Sequence, residues 1–294
     1  MFTKKKSIFL TLSLCIALGG SISSCSKDAV VKFGEQYKKS IYIVHAENIE
    51  YVKEHSFEQE NDTITLSIYC ASSEPISKNV GVLLQKDNTV LDSLNYLNSL
   101  SDANYIPKSL LEPTRYNFDK GQVIIESGRQ YGLLKIPVNF VGIDVDKEYV
   151  LPARLVSNDA GFDISPKLSV IAYRPKMINR FSGDFVGSSK ISTEKAAKTI
   201  SPILRAMAKN VVRIPIHNLT DEKEFLTTNY MLLTIADDEK TVAISSYKNS
   251  NVTDEGGSVY DSEQKQFTLN YSFVDGKDRK FVQAVIKNID VIDK

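Results

Sequence analysis

Asp144, Asp146 and Glu148 stand at every second position in Val141-Gly-Ile-Asp-Val-Asp-Lys-Glu148. Alternate residues of a strand share a face, so this spacing would line three acids along one strand edge. From there a terminal Glu could protonate a glycosidic oxygen beside a second carboxylate. The catalytic form of that arrangement needs a barrel of alternating strands and helices, about 250 residues long, with its reactive groups at the strand ends. No such alternation runs through this chain, and the acids read instead as a polar turn between two strands. The same oxygens suit calcium, but the segment lacks the loop glycine and the third spaced acid of an EF-hand.

Other chemistry-bearing residues are scattered. His45, His55 and His217 lie far apart, with no HExxH or paired spacing, so they read as structural histidines and no metal site is expected. GxSxG, the P-loop and GxGxxG are all missing, which removes the usual serine-hydrolase and nucleotide readings. Cys70 lies in the alternating run Thr63–Ala71 with no His close in sequence, and reads as a core cysteine rather than a nucleophile. No catalytic residue and no cofactor is expected. The best binding constellation is the loop Tyr247-Lys-Asn-Ser-Asn-Val-Thr-Asp-Glu255. Tyr247 offers an aromatic face beside Asn249, Asn251 and Asp254, and those four are the candidate ligand-binding residues. A plain solvated loop is the competing reading. The chain has 14 Tyr but no Trp, the stronger stacking platform, and most of the Tyr fall on strands where packing is the ordinary fate.

The elements that must position these groups are mostly strands. Period-two runs at Ile41–Val44, Ile64–Ile68, Gly81–Leu84, Val123–Ile125, Leu133–Val138 and Tyr149–Val156 are separated by turn residues at intervals typical of an antiparallel sandwich. A helix is expected at Asp92–Leu100, capped by Asp92, with Leu94, Leu97 and Leu100 close to one face. The chain leaves the first domain around Val170–Lys176, and Ile178–Val186 reads as one strand of the second. Thr193–Asn210 reads as helical in two pieces, the second starting at Ser201-Pro202. Strands resume at Val211–Ile214, Tyr230–Ile235 and Val242–Ser245. A closing hairpin runs from Phe267–Phe273 through Asp275-Gly276 into Phe281–Ile289.

Composition narrows the setting. The 294 residues hold 36 basic and 36 acidic side chains, and that balance argues against a nucleic-acid binder working through bulk attraction. The N-terminus carries Lys4, Lys5 and Lys6, then the apolar run Ile8–Leu18, too short to span a bilayer that needs about 20 apolar residues. The following Ile22-Ser23-Ser24-Cys25 resembles the lipobox of a bacterial lipoprotein, in which the cysteine thiol takes a diacylglycerol. Cleavage would make Cys25 the acylated N-terminus, a stable membrane anchor with two or three chains. Removing residues 1–24 takes away three lysines and no acid, leaving 33 basic against 36 acidic residues, and Cys70 as the one free thiol. Ser26-Lys27-Asp28 resembles the signal that sends Bacteroidota lipoproteins to the outer leaflet of the outer membrane.

Tyr105-Ile-Pro-Lys-Ser109, Tyr116 with Gly121–Gly128, and Tyr149-Val-Leu-Pro-Ala153 together resemble an immunoglobulin-like domain of unknown function. That domain stands at the N-terminus of Bacteroidota surface lipoproteins, some with a family 18 glycosidase behind it. The tail Gly256–Tyr271 is similar to the closing hairpin of a lipocalin-like β-barrel often paired with it. Val141–Glu148 also resembles the family 18 signature, with Val141 in place of its leading acid. Asp62-Thr63-Ile64 and Asp92-Ser93-Leu94 match a short Bacteroidota O-glycosylation pattern.

The expected fold is all-β: an immunoglobulin-like sandwich at 40–172, then a lipocalin-like barrel domain at 177–294 with a short helical insertion. A signal peptide (1–24) and a lipidated tether (25–39) precede them. The resemblance implies a cell-surface, glycan-binding, non-catalytic lipoprotein of a polysaccharide or host-glycan utilisation locus. Its partners would be an oligosaccharide, a TonB-dependent transporter, a SusD-like protein and, through the lipid on Cys25, the outer membrane. No nucleic acid is expected. The rivals are an adhesive protein binding another protein through a flat apolar patch, and a glycosidase with two carboxylates facing across a cleft.

Overall fold

A computed structural model describes residues 35 and 37–291. The leader, Cys25 and most of the tether lie outside these residues. The first domain begins with β1 (Ser40–Ile43), β2 (Glu50–Ser56), β3 (Asn61–Ala71) and β4 (Val80–Lys86). Helix α1 (Asn88–Ser101) and β5 (Ser109–Leu110) follow, then β6 (Lys120–Ile125) and β7 (Tyr131–Asn139). β8 (Tyr149–Asn158), β9 (Asp163–Ile164) and β10 (Val170–Ile178) complete it. They form two sheets, β7-β3-β1-β9 and β2-β10-β8-β4-β6.

Alternation fixes which residues face inward. Along β7 every second residue is buried, with Leu134, Ile136 and Val138 inside and Leu133 and Lys135 outside. They meet Ile64, Leu66 and Ile68 of β3 and Val82, Leu84, Val123 and Leu151 of the other sheet in one core. Cys70 is buried and unpaired there.

Helix α1 lies outside this core, with Val90, Leu91 and Leu94 on Val150 and Ala172. Its cap is Asp87, whose side chain accepts from the Thr89 N–H, and not Asp92, which lies within the helix. Leu97 and Leu100 are exposed, because the buried stripe starts one turn earlier than the leucine spacing indicates.

The second domain opens with β11 (Gly183–Ile191), β12 (Lys198–Ile200), β13 (Ile203–Ala208) and β14 (Val211–Pro215). β15 (Tyr230–Ile235), β16 (Val242–Ser246), β17 (Val252–Asp254) and β18 (Val259–Asp261) follow, and the hairpin β19 (Gln266–Asp275) and β20 (Asp278–Asn288) closes it. All ten belong to one sheet that curls until its ends meet. Thr241 bridges Val259, and the Val242 N–H donates to the Ser258 carbonyl across the seam. The result is a nearly closed β-barrel filled by Phe185, Val212, Leu233, Phe267, Leu269 and Ile286. Gly187 permits one close strand approach, since a Cβ there would lie 1.9 Å from the Val285 carbonyl oxygen.

Two expectations fail here. The stretch expected to be helical, 193–210, contains β12 and β13, because Leu204 and Ala206 turn into the barrel while Ile203 and Arg205 face out. The single strand expected over Ile178–Val186 is broken by a turn at 179–182. Buried Asn179 holds that corner, donating to the carbonyls of Ala208 (2.7 Å) and Val211 (3.0 Å) and accepting from the Phe181 N–H.

Candidate functional site

The acids of 141–148 sit on the turn between β7 and β8, and they splay. Asp144 faces solvent, where it caps the Asp146 N–H and pairs with Lys147. Glu148 binds Lys108 at 2.8 Å and reaches Lys223 of the second domain at 3.5 Å. Asp146 enters the domain junction and accepts from Arg213, the Tyr247 hydroxyl and Lys248. Burial works to raise the Asp146 carboxyl, but these three bonds outweigh it and hold the group below the usual carboxylate range. The Arg213 guanidinium lies over the rings of Tyr230 (5.1 Å) and Tyr247 (4.9 Å). The charges of this junction pair with one another, although Arg213 Nε is buried without a hydrogen-bond partner among the described residues.

The loop residues expected to bind ligand are divided. Tyr247 is 8% exposed, with Arg213 and the Lys248 ammonium (5.1 Å) over its ring, so it presents no open stacking face. Asp254 accepts from the N–H groups of Ile244 and Gly256, holding the barrel seam. Asn249 and Asn251 are exposed.

The open site lies in the first domain. A cavity of about 480 Å³ opens between β2, an edge strand, and β3 of the opposing sheet. Its floor joins residues far apart in sequence. β2 pairs with β10 in parallel, setting Tyr51 beside Tyr173, and the next strand brings Asp62. His55 is 4% exposed, with Nδ1 at 2.5 Å from Asp62 Oδ2 and Nε2 at 2.7 Å from the Tyr173 hydroxyl. Burial pushes the Tyr173 phenol far up, and its hydroxyl and the Asp62 carboxylate hold the two ring nitrogens of His55. Phe140 packs against the imidazole at 4.8 Å. Every polar atom of this His has a partner, and the floor is rigid.

The rim is built differently. His45 takes a left-handed conformation (φ 68°) that lays its ring on Tyr51, centroids 4.5 Å apart and planes 12° from parallel. His45 is exposed and Tyr51 half-buried. Lys53, Gln59, Thr63, Thr65 and Ser67 also line the cavity, beside Glu54, which pairs with Lys176, and the side chains of those five have no hydrogen-bond partner among the described residues. An aromatic ledge over a satisfied floor, edged by unspent amide, hydroxyl and ammonium groups, can receive a polar ligand with apolar faces. Sequence reasoning left His45 and His55 as structural and did not weigh Tyr173. The one local signal was the alternation of β2, which puts Tyr51, Lys53 and His55 on one face.

Comparison with known proteins agrees with this architecture. No curated protein matches the sequence. A protein of unknown function from Bacteroides ovatus superposes with a TM-score of 0.62 at 17% identity, covering 86% of this chain and 93% of the other. A multidomain protein including DUF1735 from Bacteroides ovatus gives 0.60 at 16%, with the same coverages. An auxiliary nutrient binding protein from Bacteroides thetaiotaomicron gives 0.58 at 17%, covering 81% and 90%. These likenesses establish a shared fold. A family model for an N-terminal domain matches residues 37–161, and a companion model for a C-terminal domain matches 169–287. The second match begins before β10, so a strand that the family assigns to the C-terminal part is hydrogen-bonded into the N-terminal sandwich. Together the two matches span most of the chain, which belongs to the family that joins this N-terminal and this C-terminal domain.

Proposed function

We propose that the protein is a non-catalytic, cell-surface lipoprotein, anchored through Cys25 in the outer membrane, that captures glycan in a polysaccharide or host-glycan utilisation system. It would pass its ligand to a TonB-dependent transporter with a SusD-like partner. The observation that carries this reading is the sandwich cleft, where the His45–Tyr51 stack meets unspent hydroxyl, amide and ammonium groups. Sugars present that pair of surfaces, C–H faces for stacking and hydroxyls for hydrogen bonds. The nutrient-binding description of one protein with the same fold is consistent with it. The aromatic contact moves from Tyr247 to Tyr51, and Asn249 and Asn251 stay as secondary candidates on a separate loop. The test is a glycan array with soluble protein starting at Ser26, beside Tyr51→Ala. Binding to a defined glycan class, weakened about tenfold in the variant, is expected. Wild-type silence across plant, fungal and host glycans would refute the reading.

A protein ligand is favoured by one observation. Tyr96, Leu97 and Leu100 of α1 are 63%, 52% and 67% exposed, with Ile106 close behind in sequence. Contiguous exposed apolar groups of this kind mark protein contact surfaces. Ser at Leu97 and Leu100 would then abolish association with the transporter and leave glycan binding intact.

A further inference from the structure

The outer face of the barrel carries a second group of unspent side chains. β11, β20 and β19 are consecutive antiparallel strands, and their register sets Lys190, Gln283 and Asn270 in one row across the sheet. Val282, Ala284 and Ile286 point into the barrel, so Phe281 and Gln283 point out, and Phe281 is 47% exposed in mid-strand. In register with Phe281 stands Ser272, whose hydroxyl donates to Glu255 (2.6 Å) and accepts from Arg279 (2.8 Å). Arg279 also donates to Thr253 at 2.8 Å, which fixes the wall of the groove. Between these rows is a cavity of about 300 Å³, lined by Lys190, Ser192, Glu255, Asn270, Phe281 and Gln283. The side chains of Lys190, Ser192 and Gln283 have no partner among the described residues.

One exposed Phe on a surface is ordinary. An exposed Phe flanked by two amides, a hydroxyl, an ammonium and a carboxylate, on a wall held by Arg279, is a small amphipathic platform. We infer that this groove is a second saccharide-binding site, with Phe281 stacking on a sugar ring and Gln283, Asn270 and Lys190 holding its hydroxyls. It rests on the reading that the protein binds glycans. Its consequence goes further: the chain would hold one polymer at two places, one on each domain.

The test is calorimetric titration of the Ser26–Lys294 protein with cellohexaose, xylohexaose, mannohexaose and chitohexaose, using wild type, Tyr51→Ala and Phe281→Ala. Two sites in the wild type and one in each variant are expected, and at the groove Phe281→Ala should weaken binding about tenfold or more. One wild-type site, lost in Tyr51→Ala and unchanged in Phe281→Ala, would overturn the groove and leave the glycan reading standing. One site lost in Phe281→Ala alone would support the groove and remove the cleft. No binding by the wild type to the four hexasaccharides, with silence on the host glycans of the array, would overturn both.

Discussion

Tyr51 and Tyr247 are the same residue in different company, and they meet opposite fates. Tyr247 gives its hydroxyl to Asp146 and its ring to two cations. Tyr51 is half-buried at the edge of the sandwich core, stacked on one face by His45 and met edge-on by Tyr173 at 5.6 Å. The cleft and the junction therefore divide the molecule's polar chemistry. At the junction, charges neutralise one another and join the domains; in the cleft, a satisfied floor supports a rim with capacity to spare. Binding capacity follows from unspent groups on a rigid base, not from residue type.

The largest effect should come from the junction. Asp146→Ala leaves Arg213 buried without its carboxylate, and loss of about 3–5 kcal/mol is expected from denaturant unfolding. His55→Ala is next: it strands the Tyr173 hydroxyl beneath the cleft, at a cost of about 1–3 kcal/mol with weakened ligand binding. Tyr51→Ala should weaken glycan binding about tenfold, near 1.4 kcal/mol, as titration calorimetry would read it. Tyr247→Phe should cost about 1 kcal/mol of stability and leave binding unchanged. If titration calorimetry shows the reverse for the two tyrosines, the contrast between cleft and junction is wrong.

The contrast has a pH dimension as well. Asp146 is held below its ordinary value of 3.8 in the folded protein. A depressed carboxylate contributes stability that is complete above the unfolded pKa and is lost as pH falls through the folded one. Lys248 is raised above its ordinary 10.5, chiefly by its bond to Asp146, so its share persists at neutral pH and is lost only as pH rises beyond that value. The junction should hold its full strength from about pH 5 to pH 9 and loosen in acid. Small-angle scattering against pH would show the two domains separating below about pH 4 if Asp146 controls the joint.

How legible this was differs by element. The β19–β20 hairpin was readable because Phe267, Leu269, Tyr271 and Phe273 alternate before an Asp-Gly turn, and Gly276 adopts φ 64° there. The stretch 193–210 was not. Its Ala, Lys, Leu and Met favour helices, and Ser201-Pro202 imitates a helix start; the barrel offers β11 and β14 as partners, and tertiary pairing overrides propensity. The cleft was invisible for another reason. Its floor depends on parallel pairing of β2 with β10, which sets His55 against a tyrosine 118 residues away. The acid that occupies Tyr247 is likewise 101 residues distant. No local pattern encodes either contact.

The strand that ties the two domains together also sets how the molecule would answer a pull. Four residues separate β10 from β11, so tension on the distal barrel enters the sandwich along the β10 axis. There β10 is gripped on both sides, by β8 over Val170–Tyr173 and by β2 over Ala172–Ile178. Load along that axis shears both ladders together instead of unzipping them one bond at a time, and resistance to forced unfolding is a matter of rate. Under such a load the β10 ladders should hold as one unit, so the joint between the domains would act as a stiff mechanical link.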